Sequence, residues 1–373
     1  MRPARPVVRA VVRDLSRTGV PLALARLAAW PGTREAIDLH VVARSDGPVR
    51  VDLEQAGIAV VALEPERSRS VPATVAAAGA QLGRPAPGQA VLAAAWRRRL
   101  RGLPQPNTVL VQGAGAWPVA EALGIDAAPR LVWHLHELAL GLRRSIDPAT
   151  ARRAAATADQ VLVVAEPVAA LARSLGAPSE RVTIVPGTVD RVERLPRSGR
   201  DVVTIGEAGW RKGTDRAIAA AHELRRRDPG VRWHWIGRAS EPAWAYAHGA
   251  DLAVVFHPPC EAPWAVVDAP AAAVVTSRED PLPLVALEAG ARGLPVVACA
   301  GSGGLDQLLD GGRGWLVDPT DPGELVAAVQ EAIATGSAGR GEELQAYVAA
   351  HHRADAVGPA WLAALTGAGG RVP

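Results

Sequence analysis

The chain has 373 residues, 49% of them hydrophobic and 21% charged, with a net charge of +3. This composition excludes a disordered chain and holds material for about two domains, each with its own core. The small net charge excludes a general nucleic-acid-binding surface, and two cysteines, Cys260 and Cys299, make neither a disulfide framework nor a metal cluster.

No apolar run reaches the ~18 residues of a membrane span. The start, MRPARPVVRAVVRDLS, is basic, but arginine breaks its apolar run, so no signal peptide is expected and a reducing, cytoplasmic setting is. Of the 41 basic residues only Lys212 is a lysine. The excess of arginine, alanine and valine reads as coding bias. Against it, one retained lysine is either chance or a need for a compact ammonium.

Short apolar, β-branched runs predict strands at 7–12, 39–43, 58–62, 108–112, 131–135, 160–164 and 182–185 in the first half. In the second half they recur at 202–205, 231–236, 252–256, 272–275, 295–298 and 315–317. Helix-period segments lie between many of them, at 165–175, 214–227, 284–292 and 322–334, and the tail after about 342 reads as helix. Near-continuous apolar strands alternating with helices predict parallel sheets covered on both faces. So many strands exceed one doubly wound sheet. The polar, proline- and glycine-bearing stretch at 190–201 is the natural break, giving domains 1–195 and 196–354. Such paired α/β domains bind ligands at the carboxyl ends of their strands.

Three segments carry candidate chemistry in the first half and at its boundary with the second. The run AWRRRLRG places Arg97, Arg98, Arg99 and Arg101 together, either as a solvated helix face or as a contact for an anionic membrane surface. The run VLVQGAGAWP resembles a dinucleotide fingerprint, but Pro118 stands where the third glycine belongs and no acid ends the next strand. A nicotinamide or flavin enzyme is therefore not the reading taken. The run VVTIGEAGWRKGTDRAI leads from a strand through a glycine-bearing turn to Arg211 and Lys212 at a helix start, a grip suited to a diphosphate.

The segment SREDPLPLVALEAGARGLPVVA sets Asp280 and Glu288 eight positions apart. Pro281 and Pro283 hold the chain out of helix until Pro283 or Leu284. Even fully helical, the interval rises about 12 Å. That is too long for two carboxylates sharing a proton or a metal, and beyond the roughly 5–5.5 Å of a retaining glycosidase pair. The acids read as separate contacts at the ends of an extended ligand, with the free amides of a helix start between them for an anion. A nucleotide-sugar has that layout; a helix with an acidic approach is the plainer alternative.

These segments, in this order, resemble family 4 of the retaining glycosyltransferases, which have the GT-B fold of two Rossmann-like domains. DLSRTGVPLALARLA is similar to the family's opening glycine turn, and LVWHLHEL to its strand ending in His-Glu or His-Asp. WRKGTDRAI is similar to its phosphate turn, and SREDPLPLVALEAGARGLPVVA to its acid-x7-acid motif. The resemblance implies metal-independent, retaining hexosyl transfer from a nucleotide-sugar to a glycan, lipid-linked or small-molecule acceptor, with no cofactor and no nucleic acid. It implies an acceptor-side domain 1–195, onto which a helix from about 355 packs back, and a donor-binding domain 196–354. By analogy Glu288 contacts the donor ribose, Asp280 the transferred sugar, Leu284 and Val285 the phosphates through their amides, and Arg211 and Lys212 the leaving diphosphate. His136 is implied near the sugar, with His134 as its rival, and Gly19 lets a loop approach the donor.

Three positions depart from the family pattern. Asp280 replaces glutamate, Pro281 replaces glycine and removes an N–H donor, and Glu207 replaces a phosphate-binding arginine, so it must turn away or leave that task to Arg211. These departures motivate one rival reading, a catalytically inactive glycosyltransferase-like binding protein; a nucleotide-sugar epimerase or hydrolase of the same fold is a further alternative.

Overall fold

A computed structural model describes residues 4–64, 74, 85–125, 128–195, 199–239, 253–334 and 338–367. Leu252, at the head of one expected strand segment, and residues 196–198 of the expected domain break lie outside them. The chain divides into two compact units, residues 1–186 with 354–373, and residues 187–353.

The first unit carries a seven-stranded sheet: β1 Val7–Asp14, β2 Asp38–Ser45, β3 Ala59–Glu64, β4 Thr108–Gln112, β5 Leu131–Leu135, β6 Gln160–Val163 and β7 Val182–Ile184. Its order is β3-β2-β1-β4-β5-β6-β7, and every pair is parallel. β4 and β5 are buried at all positions, as a central strand covered on both faces must be. Helix Gly19–Ala29 follows β1 and packs Leu24 and Leu27 on Val8, Ala10 and Val12. The last helix, Ala354–Thr366, belongs to this unit and seats Val357, Trp361 and Leu365 in the same core. Thr108 Oγ1 donates to the Leu365 carbonyl at 2.8 Å, and Arg130 Nε to the Ala364 carbonyl at 2.8 Å, satisfying carbonyls at that helix's end.

The second unit carries β8 Val202–Ile205, β9 Trp233–Ile236, β10 Val254–His257, β11 Ala272–Val275, β12 Val296–Cys299 and β13 Trp315–Val317. Their order is β10-β9-β8-β11-β12-β13, again all parallel. Alternate residues feed two cores. Trp233, Trp235 and Val274 pack with Ala217, Ala221 and Leu224 on one face, and Val203, Ile236 and Val275 pack with Ala286, Leu287 and Leu344 on the other. Val189 N donates to the His352 carbonyl at 2.8 Å and His352 Nδ1 bonds the Gly187 carbonyl at 2.9 Å, tying the two ends of this unit together. The polar stretch 190–201 therefore lies inside the second unit.

In each sheet the strand order reverses beside the first strand of the unit, between β1 and β4 and between β8 and β11. In open α/β sheets ligands bind outside the carboxyl ends of the strands at such a reversal.

Candidate functional site

The β8 and β11 loops meet at the switch of the second sheet. Past β8 the chain makes the tight turn Trp210–Lys212 and enters helix Thr214–Arg227 through Gly213. Gly213 has φ +68, and a Cβ there would lie 2.0 Å from the Thr276 carbonyl oxygen, so only glycine fits. Thr276, just past β11, donates its hydroxyl to the Lys212 carbonyl at 2.9 Å. Through these contacts Lys212 reaches Asp280: Nζ and Oδ2 are 2.5 Å apart, with the side chains 18% and 8% exposed. Ser277 Oγ bonds the same oxygen at 3.2 Å, and Asp280 N donates to the Ser302 carbonyl at 2.7 Å.

Arg211 is turned into the same loop, its Nη1 donating to the Glu279 carbonyl at 2.8 Å. Glu207 is exposed. A second ion pair braces the turn from outside. Arg278 binds the Asp215 carboxylate through two nitrogens, donates to the Trp210 carbonyl at 2.7 Å and stands 4.7 Å from the Trp210 ring centroid. Burial works to raise Asp215, but the Arg278 bonds prevail and hold it below the usual carboxylate range; the same bonds push Arg278 up.

Pro283, extended at φ −67 and ψ 121, caps helix Leu284–Ala291. Leu284 and Val285 are its first two residues, whose amides lack a carbonyl one turn back within the helix. Glu288 follows one turn on. Its Oε2 accepts from Trp264 Nε1 at 2.9 Å, a partner that no spacing in the sequence points to. The structure thus brings Lys212, Asp280 and Arg211 into one loop cluster. Leu284, Val285 and Glu288 stand on the helix that follows.

In the first unit Gly19 is exposed and opens the helix after β1, and a Cβ there would meet nothing within 4 Å. His134 is 1% exposed inside β5. Burial holds it neutral, down to about 4, against a weaker opposing contact with the Val185 carbonyl. His136 lies past the strand end, with Nε2 2.9 Å from Gln112 Nε2; burial, and then the neighbouring His134, hold it well below the usual histidine range. The two rings are 4.1 Å apart, and only His136 is partly exposed.

Glu137, the acid of the His-Glu pair, is not among the expected site residues. Both of its oxygens accept from Ala114 N at 3.0 Å, and Oε2 also accepts from His136 N at 3.0 Å. It thereby staples the loops after β4 and β5. Gly113, at φ +79, makes room for it: a Cβ there would lie 3.1 Å from Glu137 Oε1. Burial pushes this carboxyl up to about 7 against those amide bonds and the Arg13 charge.

Arg97, Arg98, Arg99 and Arg101 are all exposed at the end of helix Pro85–Arg99 and just beyond it. Arg97 donates to the Ala122 carbonyl at 3.1 Å and Arg99 to the Ala62 carbonyl at 3.2 Å, so part of the cluster fastens neighbouring elements. Among the described residues no helix is long and apolar enough to cross a membrane.

Two parallel α/β sheets with loop clusters at their switch points define a GT-B glycosyltransferase fold. Solved structures share it: Anabaena HepE, crystallised with UDP and glucose, aligns over 97% of this chain and 99% of its own at TM-score 0.76 and 20% identity. Residues 188–349 match the family described as Glycosyl transferases group 1, and residues 33–193 match Glycosyltransferase Family 4. Together the two glycosyltransferase models span residues 33–349, each matching less than half of the chain. D-inositol 3-phosphate glycosyltransferase of Acidothermus cellulolyticus is 34% identical over 190 residues, 43% of this chain and 42% of that protein. Glycogen synthase of Mycobacterium tuberculosis is 32% identical over 165 residues, 41% of this chain and 40% of that protein. The chain thus matches about two fifths of the length of these curated relatives.

Proposed function

We propose that the protein transfers a sugar from a nucleoside-diphosphate sugar to an acceptor, with retention of anomeric configuration and without a metal ion. The observation that carries this reading is the cluster of Lys212, Asp280 and Arg211 beside the start of helix Leu284–Ala291. As the glycosidic bond breaks, negative charge develops on the diphosphate. Two fixed cations and the amides of Leu284 and Val285 stabilise it where it forms. Asp280 serves the transferred sugar and anchors Lys212, and Glu288 serves the ribose. By the same reading His136 serves the sugar and Gly19 the approach of the donor. Anabaena HepE is a protein of this fold solved with UDP and with UDP-glucose, which supports a uridine or related nucleotide donor. The acceptor is a glycan, a lipid-linked sugar or a small molecule. The setting is cytoplasmic, with peripheral contact to an anionic membrane face through Arg98 and Arg101 in particular.

The test is a thermal-shift screen against nucleoside diphosphates and their sugars, followed by nucleotide release with a panel of donors and acceptors. Stabilisation by at least one donor and acceptor-dependent release are expected. No response to any nucleotide would refute the reading, and release without an acceptor would mark a hydrolase. The engagement of Asp280 by Lys212 lends weight to one rival, a non-catalytic glycosyltransferase-like protein that binds a partner or glycan, which binding of no donor would favour.

A further inference from the structure

His136 is held on three sides. Glu137 Oε2 accepts from its backbone N at 3.0 Å, the buried His134 ring packs 4.1 Å from its own at a tilt of 42°, and Gln112 Nε2 stands 2.9 Å from its Nε2. Gln112 closes β4, is 1% exposed, and is the register partner of His134 on β5, so the two side chains share one sheet face. An amide nitrogen only donates, so the His136 Nε2 that faces it must hold a lone pair. Burial, and then His134, keep the imidazole neutral. A neutral ring carries one proton, which therefore sits on Nδ1. Turned over, the Gln112 amide would bury two unpaired hydrogens. As it stands it leaves one hydrogen and the carbonyl oxygen Oε1 unpaired among the described residues, and a buried carbonyl tolerates that better than an N–H does.

We propose that Gln112 is a positioning residue that fixes His136 as the Nδ1–H tautomer, so that the imidazole serves the transferred sugar as a hydrogen-bond donor and not as a general base. This rests on the assignment of His136 to the sugar. The amide engages Nε2, so Nδ1 is the nitrogen left to meet a hydroxyl. With its proton in place it offers an N–H to that hydroxyl's oxygen, and it has no lone pair with which to draw the hydroxyl's proton.

The experiment is long-range nitrogen–proton correlation NMR on the full chain labelled at histidine, with His136→Ala to assign the ring. Steady-state sugar transfer and calorimetry with UDP, GDP and ADP run beside it. The wild type is expected to carry the His136 proton on Nδ1 at pH 8. Gln112→Met keeps the length and loses the donor, and Gln112→Glu at pH 8 presents a carboxylate that accepts from Nε2–H. Both variants are expected to move the proton to Nε2. Both should lower transfer about fivefold and keep nucleoside diphosphate affinity within about twofold, since that ligand has no sugar to transfer. In Gln112→Glu, transfer relative to wild type should recover as the pH falls. One proton added to the carboxylate–imidazole pair returns an N–H to Nδ1, whichever partner takes it. The titrating neighbours, His134 and Glu137 with Arg13 acting on it, are common to both proteins and cancel in that ratio. A structural role alone would weaken diphosphate binding and transfer together and give no recovery. A wild-type ring protonated at Nε2, or the Nδ1 proton kept in both variants, would overturn the positioning role. Normal transfer by His136→Ala, with the tautomers as expected, would instead overturn the assignment of His136 to the sugar, and with it the use made of the tautomer.

Discussion

Glu137 makes the first unit pH-sensitive, and the sense of the effect is fixed by its surroundings. Its carboxyl stands at about 7 in the folded protein, against an ordinary value of 4.5. A carboxyl raised on folding binds its proton more tightly in the folded state, so stability falls as pH rises from the ordinary value through the raised one. At 1.36 kcal/mol per pH unit the whole effect is about 3 kcal/mol, of which about 2.5 kcal/mol is lost between pH 5 and 8. Glu137→Gln stays neutral throughout. Its amide N–H faces the Ala114 N–H, which adds a constant penalty but no pH dependence. Urea unfolding of wild type and variant at pH 5, 6, 7 and 8 isolates the effect: the wild type should lose about 2.5 kcal/mol relative to the variant across the series. The Ala114 and His136 amide resonances should titrate with an inflection near 7 in the wild type and not in the variant. A stability difference that is flat, or that grows in favour of the wild type at high pH, would refute the reasoning. It would mean that the three amide bonds and Arg13 outweigh burial.

Removing the charges proposed to hold the donor should cost turnover. Lys212→Ala and Glu288→Ala are each expected to lose at least about 10²-fold in steady-state sugar transfer, the scale seen when a transition-state partner is removed; near-normal rates in either would mean the site is misplaced. Gly213→Ala forces a side chain into the left-handed region and into the Thr276 carbonyl at 2.0 Å. A destabilisation of more than about 2 kcal/mol in urea unfolding is expected, together with loss of nucleotide binding. His134→Leu replaces a buried neutral ring inside β5 by an apolar group and should cost less than about 1.5 kcal/mol with transfer intact, whereas His136→Ala should lower transfer.

The fold was readable because its signal is local. Each of the expected strand segments finds a strand in the two parallel sheets, with ends shifted by a few residues, and helix Leu284–Ala291 begins where Pro281 and Pro283 release the chain. The site was readable only in its parts. Lys212 and Asp280 were assigned separately, to diphosphate and to sugar, because 68 residues part them in the chain. Their pairing follows from β8 and β11 being neighbours at the switch, a fact of topology. The bonds of Trp264 to Glu288 and of Glu137 to Ala114 and His136 left no trace in spacing either, because a loop tryptophan and a strand-end glutamate are read by no period. His134 and His136 share one strand face, and only burial separates them: the first lies inside β5 and the second past its end.

The Lys212–Asp280 pair also recasts the first acid of the acid-x7-acid segment. With Asp280 5% exposed and bonded to Lys212 and Ser277, its charge is already spent on the cation assigned to the diphosphate. An incoming diphosphate must then share the ammonium with Asp280 and feel the repulsion of its carboxylate. Asp280→Asn separates these effects: the amide oxygen still accepts from Nζ and from Ser277, so the geometry is kept and only the charge goes. Across a partly buried contact at an effective dielectric near 20, one unit charge a few ångströms away is worth about 1–4 kcal/mol. The variant should therefore bind a nucleoside diphosphate about tenfold tighter, or more, by calorimetry. Transfer from the intact nucleotide-sugar should fall, because the carboxylate proposed to serve the sugar is gone. Weaker diphosphate binding in Asp280→Asn would show that the aspartate serves the anion by holding Lys212 rather than competing for it, and would remove the electrostatic half of this argument.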